Sequence, residues 1–453
     1  MLTAIIGGGI SGLTCAFELQ RRGHRVLLLE QSTRTGGVIA SVEQDGFLFE
    51  LGPQSFLSGE ALLKLISALG IEQDLQRGDP RAARYILLGG KLRRLPMAPP
   101  GLLTTPLLGL GSKLRLFAEA FLNSQPPDGD ESVADFVRRK FGSELLENLV
   151  GPFVSGVYAG DPERLSMRAA FPALHELERS YASVIRGAIK NRPAKGASRP
   201  MLCSLRGGLA TLTNSLTARL GDNIRPGVTV EAVRRGKANG STLFELHLHG
   251  GGRAEIIEAD AVVVSAPGDA AARFLGTISN RFGELLGRIE YAPVAVALCG
   301  YRREHGAHPL DGFGFLVPRK EGLSILGTVW SSSLFPGRAP EGMVSLASFV
   351  GGATNPAVLD LSDDALLAAV EKENAAVLGI THAPVTRLLH RHRRAIPQYN
   401  MGHPQVRKAL REEAAQHPGL FFAANYVEGP AIPACVDQAI RVAESVAKYL
   451  ASR

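Results

Sequence analysis

Leu2-Thr3-Ala4-Ile5-Ile6-Gly7-Gly8-Gly9-Ile10-Ser11-Gly12 opens the chain and, read on to Glu30, decides the fold. Leu2 to Ile6 is an apolar run of strand length, and the glycines make a turn. Leu13 to Arg22 has helical spacing, and Val26-Leu27-Leu28-Leu29 is a second buried strand ending in Glu30. A strand, a glycine turn, a helix and a strand in that order predict a parallel α/β sheet. Gly7-x-Gly9-x-x-Gly12 is a short pattern in a glycine-rich chain, and its weight comes from this context. The glycines let backbone approach a pyrophosphate, the helix N-terminus offers unpaired N–H groups, and Glu30 can accept from ribose hydroxyls. An acid there favours an unphosphorylated ribose, hence NAD or FAD over NADP.

The 453 residues carry 50 Lys+Arg against 43 Asp+Glu, a net charge of +7, and 45% are apolar. That is the balance of a folded chain, long enough for two to three domains at about 150 residues each. The 51 glycines show no Gly-x-y period, so the excess belongs to turns, close packing and phosphate loops. No apolar run approaches the roughly 18 residues that cross a bilayer, and the N-terminus enters a strand pattern at once. Neither a transmembrane helix nor a signal peptide is expected. Cys15, Cys203, Cys299 and Cys435 form no CxxC pair, which predicts a reduced, cytoplasmic chain without disulfides or zinc. His247-x-His249, His305-x-x-His308 and His390-x-His392 lie beside no ligand cluster, so no metal is expected. The positive charge lacks a Lys/Arg run interleaved with aromatics. It points away from nucleic acid and toward an anionic membrane surface or an anionic substrate.

Further along, Arg81 to Leu95 predicts a hairpin around Gly89-Gly90, and Pro96 to about Ala194 turns helical, broken by Pro99-Pro100-Gly101 and Pro126-Pro127-Asp128-Gly129. Asn191 to Pro200 reads as an exposed or mobile loop. Strand patterns resume at Val228–Val230, Phe244–Leu248 and Ala261–Val264, and a second β-rich block covers Val294 to Val350. Asp363 to Leu378 is an amphipathic helix, and another runs from about Cys435 to Leu450.

Arg34-Thr35-Gly36-Gly37, a glycine pair just past the acid with an arginine beside it, resembles the phosphate-contacting segment of flavoproteins of the amine oxidase and phytoene desaturase superfamily. The bland alternative for Arg34 is a solvated surface side chain. Other segments are more specific: Gly52-Pro53-Gln54-Ser55-Phe56, Arg84-Tyr85, Ser155-Gly156-Val157-Tyr158-Ala159-Gly160-Asp161-Pro162, Gly312-Phe313-Gly314-Phe315-Leu316-Val317-Pro318, Phe349-Val350-Gly351-Gly352, Ile396-Pro397-Gln398-Tyr399-Asn400 and Asn425-Tyr426-Val427-Glu428-Gly429. Together they resemble, over nearly the whole length, the oxygen-dependent protoporphyrinogen oxidases and their close relatives, the coproporphyrinogen III oxidases.

The resemblance implies a Rossmann-like FAD-binding domain (1–72, 200–272 and 396–453), a β-rich substrate-binding domain (73–95 and 273–395) and a mostly helical inserted region (96–199). It implies FAD held by Gly7, Gly9, Ile10, Ser11, Gly12, Glu30, Gln31, Arg34, Gly36, Gly37, Gly52, Pro53, Gln54, Ser55, Val228, Ala266, Asn425, Ile432 and Pro433. For the substrate, Arg84 matches the arginine that pairs with a propionate, Leu316, Val329 and Phe349 the positions that sandwich the macrocycle, and Gly156 a glycine whose backbone lies against it. The chemistry agrees, since a flat apolar ring with carboxylate arms needs an apolar slot and a few placed cations. Plain β-core is the bland reading of the three apolar residues.

The implied reaction is oxidation of protoporphyrinogen IX to protoporphyrin IX with oxygen as acceptor, in three two-electron steps; coproporphyrinogen III is the alternative substrate. No general base is identified. Other implied partners are a peripheral contact on the inner face of the cell membrane, a downstream haem-pathway enzyme that receives the product, and a second copy in a dimer. Leu102, Leu103, Leu107, Leu108, Leu110, Leu116, Phe117 and Phe121, beside Lys113 and Arg115, are the expected membrane face; the bland alternative is a helical subdomain that covers the active site with that face buried. Gln54 stands where the family often has Asn, and Pro430, Ala431 and Ala434 depart from a flavin-contacting segment. An amine or carotenoid oxidoreductase would keep Gly7 to Glu30 without Arg84-Tyr85, and a flavin-free lipid or prenyl escort on this fold would be colourless when purified.

Overall fold

The computed structural model describes residues 1–96, 101, 104–123, 126–191, 200–238 and 241–453. Most of the expected loop at Asn191 to Pro200, Pro99-Pro100, Leu102 and Leu103 lie outside the described residues. The chain begins with β1 (Leu2–Ile6), α1 (Ile10–Arg21) and β2 (Arg25–Glu30), then a hairpin of β3 (Ser41–Gln44) and β4 (Phe47–Glu50). Short β5 (Phe56–Leu57) and β6 (Leu75–Arg77) flank α2 (Glu60–Leu69), and β7 (Ala83–Leu88) and β8 (Lys91–Arg94) form the hairpin expected around Gly89-Gly90. The helical stretch includes α3 (Leu110–Glu119), α4 (Val133–Lys140), α5 (Gly151–Tyr158), α6 (Pro172–Tyr181) and α7 (Val184–Lys190). Then come β9 (Leu202–Leu205), α8 (Ala210–Leu220), β10 (Ile224–Pro226), a ribbon of β11 (Val228–Ala238), β12 (Ser241–Gly250) and β13 (Arg253–Ala259), and β14 (Ala261–Val264). After α9 (Gly268–Leu275) and α10 (Asn280–Gly287) follow β15 (Tyr291–Arg302), β16 (Gly312–Leu316), β17 (Ile325–Trp330), β18 (Met343–Gly351), α11 (Asp363–Leu378), β19 (Thr386–Pro397), α12 (His403–Ala415), β20 (Leu420–Phe422) and α13 (Ile432–Ala451).

Two sheets organise the molecule. The first is parallel throughout, in the order β10-β2-β1-β14-β20. Both its faces are covered, which is why its strands read as unbroken apolar runs: Ile5, Leu28 and Val263 pack with α1, α8 and α13, while Ala4, Ile6 and Val264 pack with the β11–β13 ribbon and α9. The second is mixed, in the order β19-β15-β18-β17-β16-β7-β8. One of its faces carries α11 through Leu366, Leu367 and Val370; part of the other meets Phe47 and Phe49 of β4. The membrane face needs correcting. Leu107 and Leu108 are buried and Leu116 packs inward, whereas Leu110, Leu114, Phe117, Phe121 and Leu122 are exposed.

The parallel sheet's surroundings and the mixed sheet's loops meet at a buried ion pair. Arg338 Nη1 donates to Glu50 Oε1 at 2.7 Å, Arg338 Nη2 to Ser204 Oγ, and the guanidinium lies over the Phe335 ring. Glu50 also accepts from Ser41 Oγ and from the Leu209 amide, and both charged side chains are buried. Burial pushes the Glu50 carboxyl above the usual carboxylate range, with Arg338 opposing it. Arg338→Met leaves that buried carboxylate without its counter-charge, held by Ser41 Oγ and the Leu209 amide alone. It should cost about 3–5 kcal/mol in urea unfolding. The loss relative to wild type should grow as pH rises above about 4, because removing Arg338 leaves burial to raise the carboxyl further while the unfolded chain has already released that proton.

Candidate active site

At the carboxyl ends of β1 and β14 the backbone is bare. Gly7 has φ +111°, and a Cβ on it would stand 2.8 Å from the backbone of Ser265 and Ala266; one on Gly12 would collide with the Gly7 carbonyl. Gly9 is the opposite case, with nothing within 4 Å of its Cβ position, so its free side is open to a ligand. The Gly36 amide donates to the Gly8 carbonyl at 2.8 Å, and Gly37 closes onto Gly9. The two glycine segments therefore form one cradle. Arg34 is exposed but holds the second of them, donating to the carbonyls of Thr35, Gly37 and Ile39.

Helix α1 starts at Ile10, and its first bond of helical spacing runs from the Leu13 amide to the Gly9 carbonyl. The amides of Ile10, Ser11 and Gly12 precede it, and the Gly9 cap has no side chain to occupy them. Glu30 Oε2 accepts from the Gly8 amide at 2.6 Å and Oε1 from the Ser32 amide at 2.7 Å. The carboxylate is thereby fixed beside exposed Gln31, with a lone pair on each oxygen left for a hydroxyl. Pro226 pairs with Glu30, and so Val228 begins β11 next to it. These groups fit a dinucleotide: bare amides for a pyrophosphate and an oriented acid for a ribose.

Helix α13 begins at Ile432, three residues before the expected start, with Pro433 in its first turn and Ala431 as a cap without a side-chain acceptor. Cys435 lies within hydrogen-bonding reach of Ser11, so the N-terminal turns of α1 and α13 adjoin. Pro430 and Ala431 therefore still produce a free helix N-terminus. Ala434 places its methyl 3.0 Å from where a Cβ on Gly429 would be, and Asn425 offers its carbonyl to the Tyr399 hydroxyl.

Between cradle and mixed sheet runs Gly52-Pro53-Gln54-Ser55. A Cβ on Gly52 would collide with the Val38 carbonyl. Gln54 is buried; its amide nitrogen donates to the carbonyls of Glu50 and Gly52, and its oxygen accepts from Ser331 Oγ at 3.2 Å. Its side chain braces the segment from within. His392 Nε2 donates to the Leu51 carbonyl at 2.8 Å, and the His390 ring lies 4.4 Å away. Burial, with Arg34 adding to it, holds both imidazoles below their usual pKa and so neutral at pH 7; His392 also lowers His390. The His-x-His spacing was visible in the sequence, but nothing there placed β19 beside Leu51.

The expected substrate residues share one face of the mixed sheet, the one turned away from α11. Gly314 pairs with both Val329 and Arg84, Gly327 with both Phe349 and Leu316, and Leu316 with Ile86. Gly156 of α5 sits on this face, since a Cβ on it would lie 2.5 Å from Leu316 Cδ2. The Arg84 guanidinium lies over the Phe313 ring, 5.4 Å from its centre.

Glu30→Ala should weaken dinucleotide binding by about 1–3 kcal/mol, the range for losing a charge-assisted hydrogen bond. Titration of apoprotein with FAD checks this, and an unchanged affinity would take Glu30 out of the site.

Residues 10–447 match the model of the flavin containing amine oxidoreductases. A spinach protein, protoporphyrinogen oxidase 1, chloroplastic, is 35% identical, the match covering 98% of this chain and 84% of that one. The coproporphyrinogen III oxidase of Bacillus subtilis is 31% identical, with 99% and 98% covered. Among solved structures, one from Exiguobacterium that is provisionally named a protoporphyrinogen oxidase superposes with a TM-score of 0.83 at 27% identity, over 98% of each chain. The glycine cradle, the fixed Glu30 carboxylate and a family match across nearly all 453 residues agree, and the chain belongs to the flavin-containing amine oxidoreductases as an FAD-dependent oxidoreductase.

Proposed function

We propose that this chain oxidises a porphyrinogen, protoporphyrinogen IX to protoporphyrin IX, with oxygen as electron acceptor. The observation that carries this reading is the single sheet face on which Leu316, Val329 and Phe349 lie, with Arg84 toward its edge and Gly156 packed against Leu316. An apolar floor, closed at Leu316 by the bare helix backbone of Gly156, and a cation beside it suit a flat ring with carboxylate arms. Names of relatives support both protoporphyrinogen and coproporphyrinogen III as substrates, and the two differ at two positions, vinyl in the first and propionate in the second. In this reading residues 1–72, 200–272 and 396–453 hold FAD, 73–95 and 273–395 hold substrate, and 96–199 form the helical insertion.

The bound flavin supplies acceptance of a hydride equivalent from a methylene bridge of the ring. The chain's own residues have the remaining tasks. Gly7, Gly9, Ile10, Ser11, Gly12, Gly36 and Gly37 present backbone to phosphates, and Glu30 takes the ribose. Gly52 to Ser55 carry the chain from cradle to floor. Leu316, Val329, Phe349 and Gly156 orient the ring and exclude water, and Arg84 engages a propionate bidentately, which a lysine cannot reproduce. Three two-electron oxidations remove six hydrogens from one porphyrinogen, and each passes its electrons to oxygen, giving peroxide.

A peripheral membrane contact belongs to the same proposal. No helix among the described residues is long and apolar enough to cross a bilayer. Leu110, Leu114 and Phe117 of α3, with Phe121 just beyond it, instead form an exposed apolar stripe beside Lys113 and Arg115.

Turnover of protoporphyrinogen IX and coproporphyrinogen III in parallel tests the reading; a yellow protein that oxidises neither would overturn it. Arg84→Ala should raise KM about ten- to a hundredfold with FAD content unchanged, as expected for a charged contact equally strong in ground and transition states. A fall in kcat alone would instead mean that Arg84 sets the ring's position for hydride transfer. Co-sedimentation with anionic liposomes at low salt should be lost in Leu114→Asp/Phe117→Asp; a wild type that stays in the supernatant removes the membrane contact.

A further inference from the structure

Two cross-strand rows run along the floor's face, with Val296, Leu298 and Ala347 at the β15 end buried under Phe47 and Phe49 and Ile86 buried near the other end. In one, Val296, Phe349, Gly327, Leu316, Ile86 and Arg93 stand in register from β15 to β8. In the other, Leu298, Ala347, Val329 and Gly314 lead to Arg84. Side chains in register across neighbouring strands point to the same face. Arg93 therefore stands on the floor's own face, at the sheet edge, one row along from Arg84. The Leu95 amide donates to the Arg84 carbonyl, which makes Arg93 the diagonal neighbour of Arg84 at about 7–8 Å. Arg93 is exposed and has no ion pair among the described residues. Both rows are apolar or glycine on the β15 side and end in an arginine on the β7–β8 side.

We propose that Arg93 is a second substrate anchor, engaging the carboxylate on the pyrrole next to the one whose carboxylate Arg84 takes. This rests on the porphyrinogen reading above. Protoporphyrinogen IX has its two propionates on adjacent pyrroles, at one edge of an otherwise apolar ring, and each sits on a flexible two-carbon arm. An apolar floor with two cations side by side at one edge matches that distribution. One arginine alone lets the ring pivot in its slot. Two fix its in-plane rotation, and with it which bridge carbon lies toward the cradle.

A control stands next to it in the sequence. Arg94 pairs with Tyr85, whose side chain packs on the α11 side, so Arg94 carries the same charge on the opposite face. Holoenzyme of Arg93→Ala and Arg94→Ala, each with wild-type FAD content, is assayed on protoporphyrinogen IX and on its dimethyl ester. Arg93→Ala should raise KM for the free acid about five- to tenfold, Arg94→Ala should stay within about twofold, and the ester should not distinguish Arg93→Ala from wild type. Equal effects of both variants, no effect of either, or an Arg93 effect that persists on the ester would overturn the anchor while wild-type turnover keeps the porphyrinogen reading. A wild type that turns over neither free porphyrinogen overturns the reading and the role of Arg93 with it.

Discussion

The buried pair of Arg338 and Glu50 is the constraint on which the relation between cradle and floor depends. Glu50 closes β4, its carboxylate receives the Leu209 amide at the start of α8, and its carbonyl receives the Gln54 side chain. Arg338 comes from the loop between β17 and β18 and reaches Ser204 of β9. Three pieces of chain far apart in sequence are thus tied at a point where no water can substitute for either partner. A charge pair suits a joint of this kind better than apolar packing, because its hydrogen-bond directions admit one register. Gly52 to Ser55 begin two residues after Glu50, so whatever fixes Glu50 fixes the segment that runs between cradle and mixed sheet.

Glycine serves two ends here. In the cradle it allows backbone to approach a phosphate. In the floor, Gly314 with φ +137° and Gly327 leave gaps in the rows where a Cβ would strike the neighbouring strand's carbonyl. The result is a shallow, flat surface between Val329 and Arg84 and between Phe349 and Leu316, suited to a planar ligand. The glycine excess in the composition is the trace of both uses.

The parallel sheet was legible because its strands are covered on both faces and its turn must be glycine. The β7–β8 hairpin was equally clear, since Gly89-Gly90 at positive φ admits little else. β19 was not legible: Thr386 to Pro397 is crowded with arginine and histidine, and only its pairing with β15 makes it a strand. The start of α13 was missed by a turn because Pro430 and Pro433 read as loop, although proline is at home in the first turn of a helix. Arg84 was picked out by resemblance, whereas Arg93 carries no sequence signal, since its facing depends on register across three strands. Arg338 and Glu50 were invisible for the same reason, being ordinary surface residue types until the fold buries them.

In the helical stretch the usual arrangement is inverted. Glu119, fully buried, receives Ser183 Oγ and the amides of Val184 and Ile185 at the start of α7, and it pairs with buried Lys140, which also meets Glu178. Arg139 joins Glu178 to Glu131. Charges thus hold the inner side of α3 beside Leu116, while Leu110, Leu114 and Phe117 face out. A helix packed by apolar contact alone would turn over to bury that stripe, and the directional bonds of Glu119 prevent it. Water is a poor neighbour for such a face and a lipid surface a good one, which is the physical basis of the membrane contact proposed above.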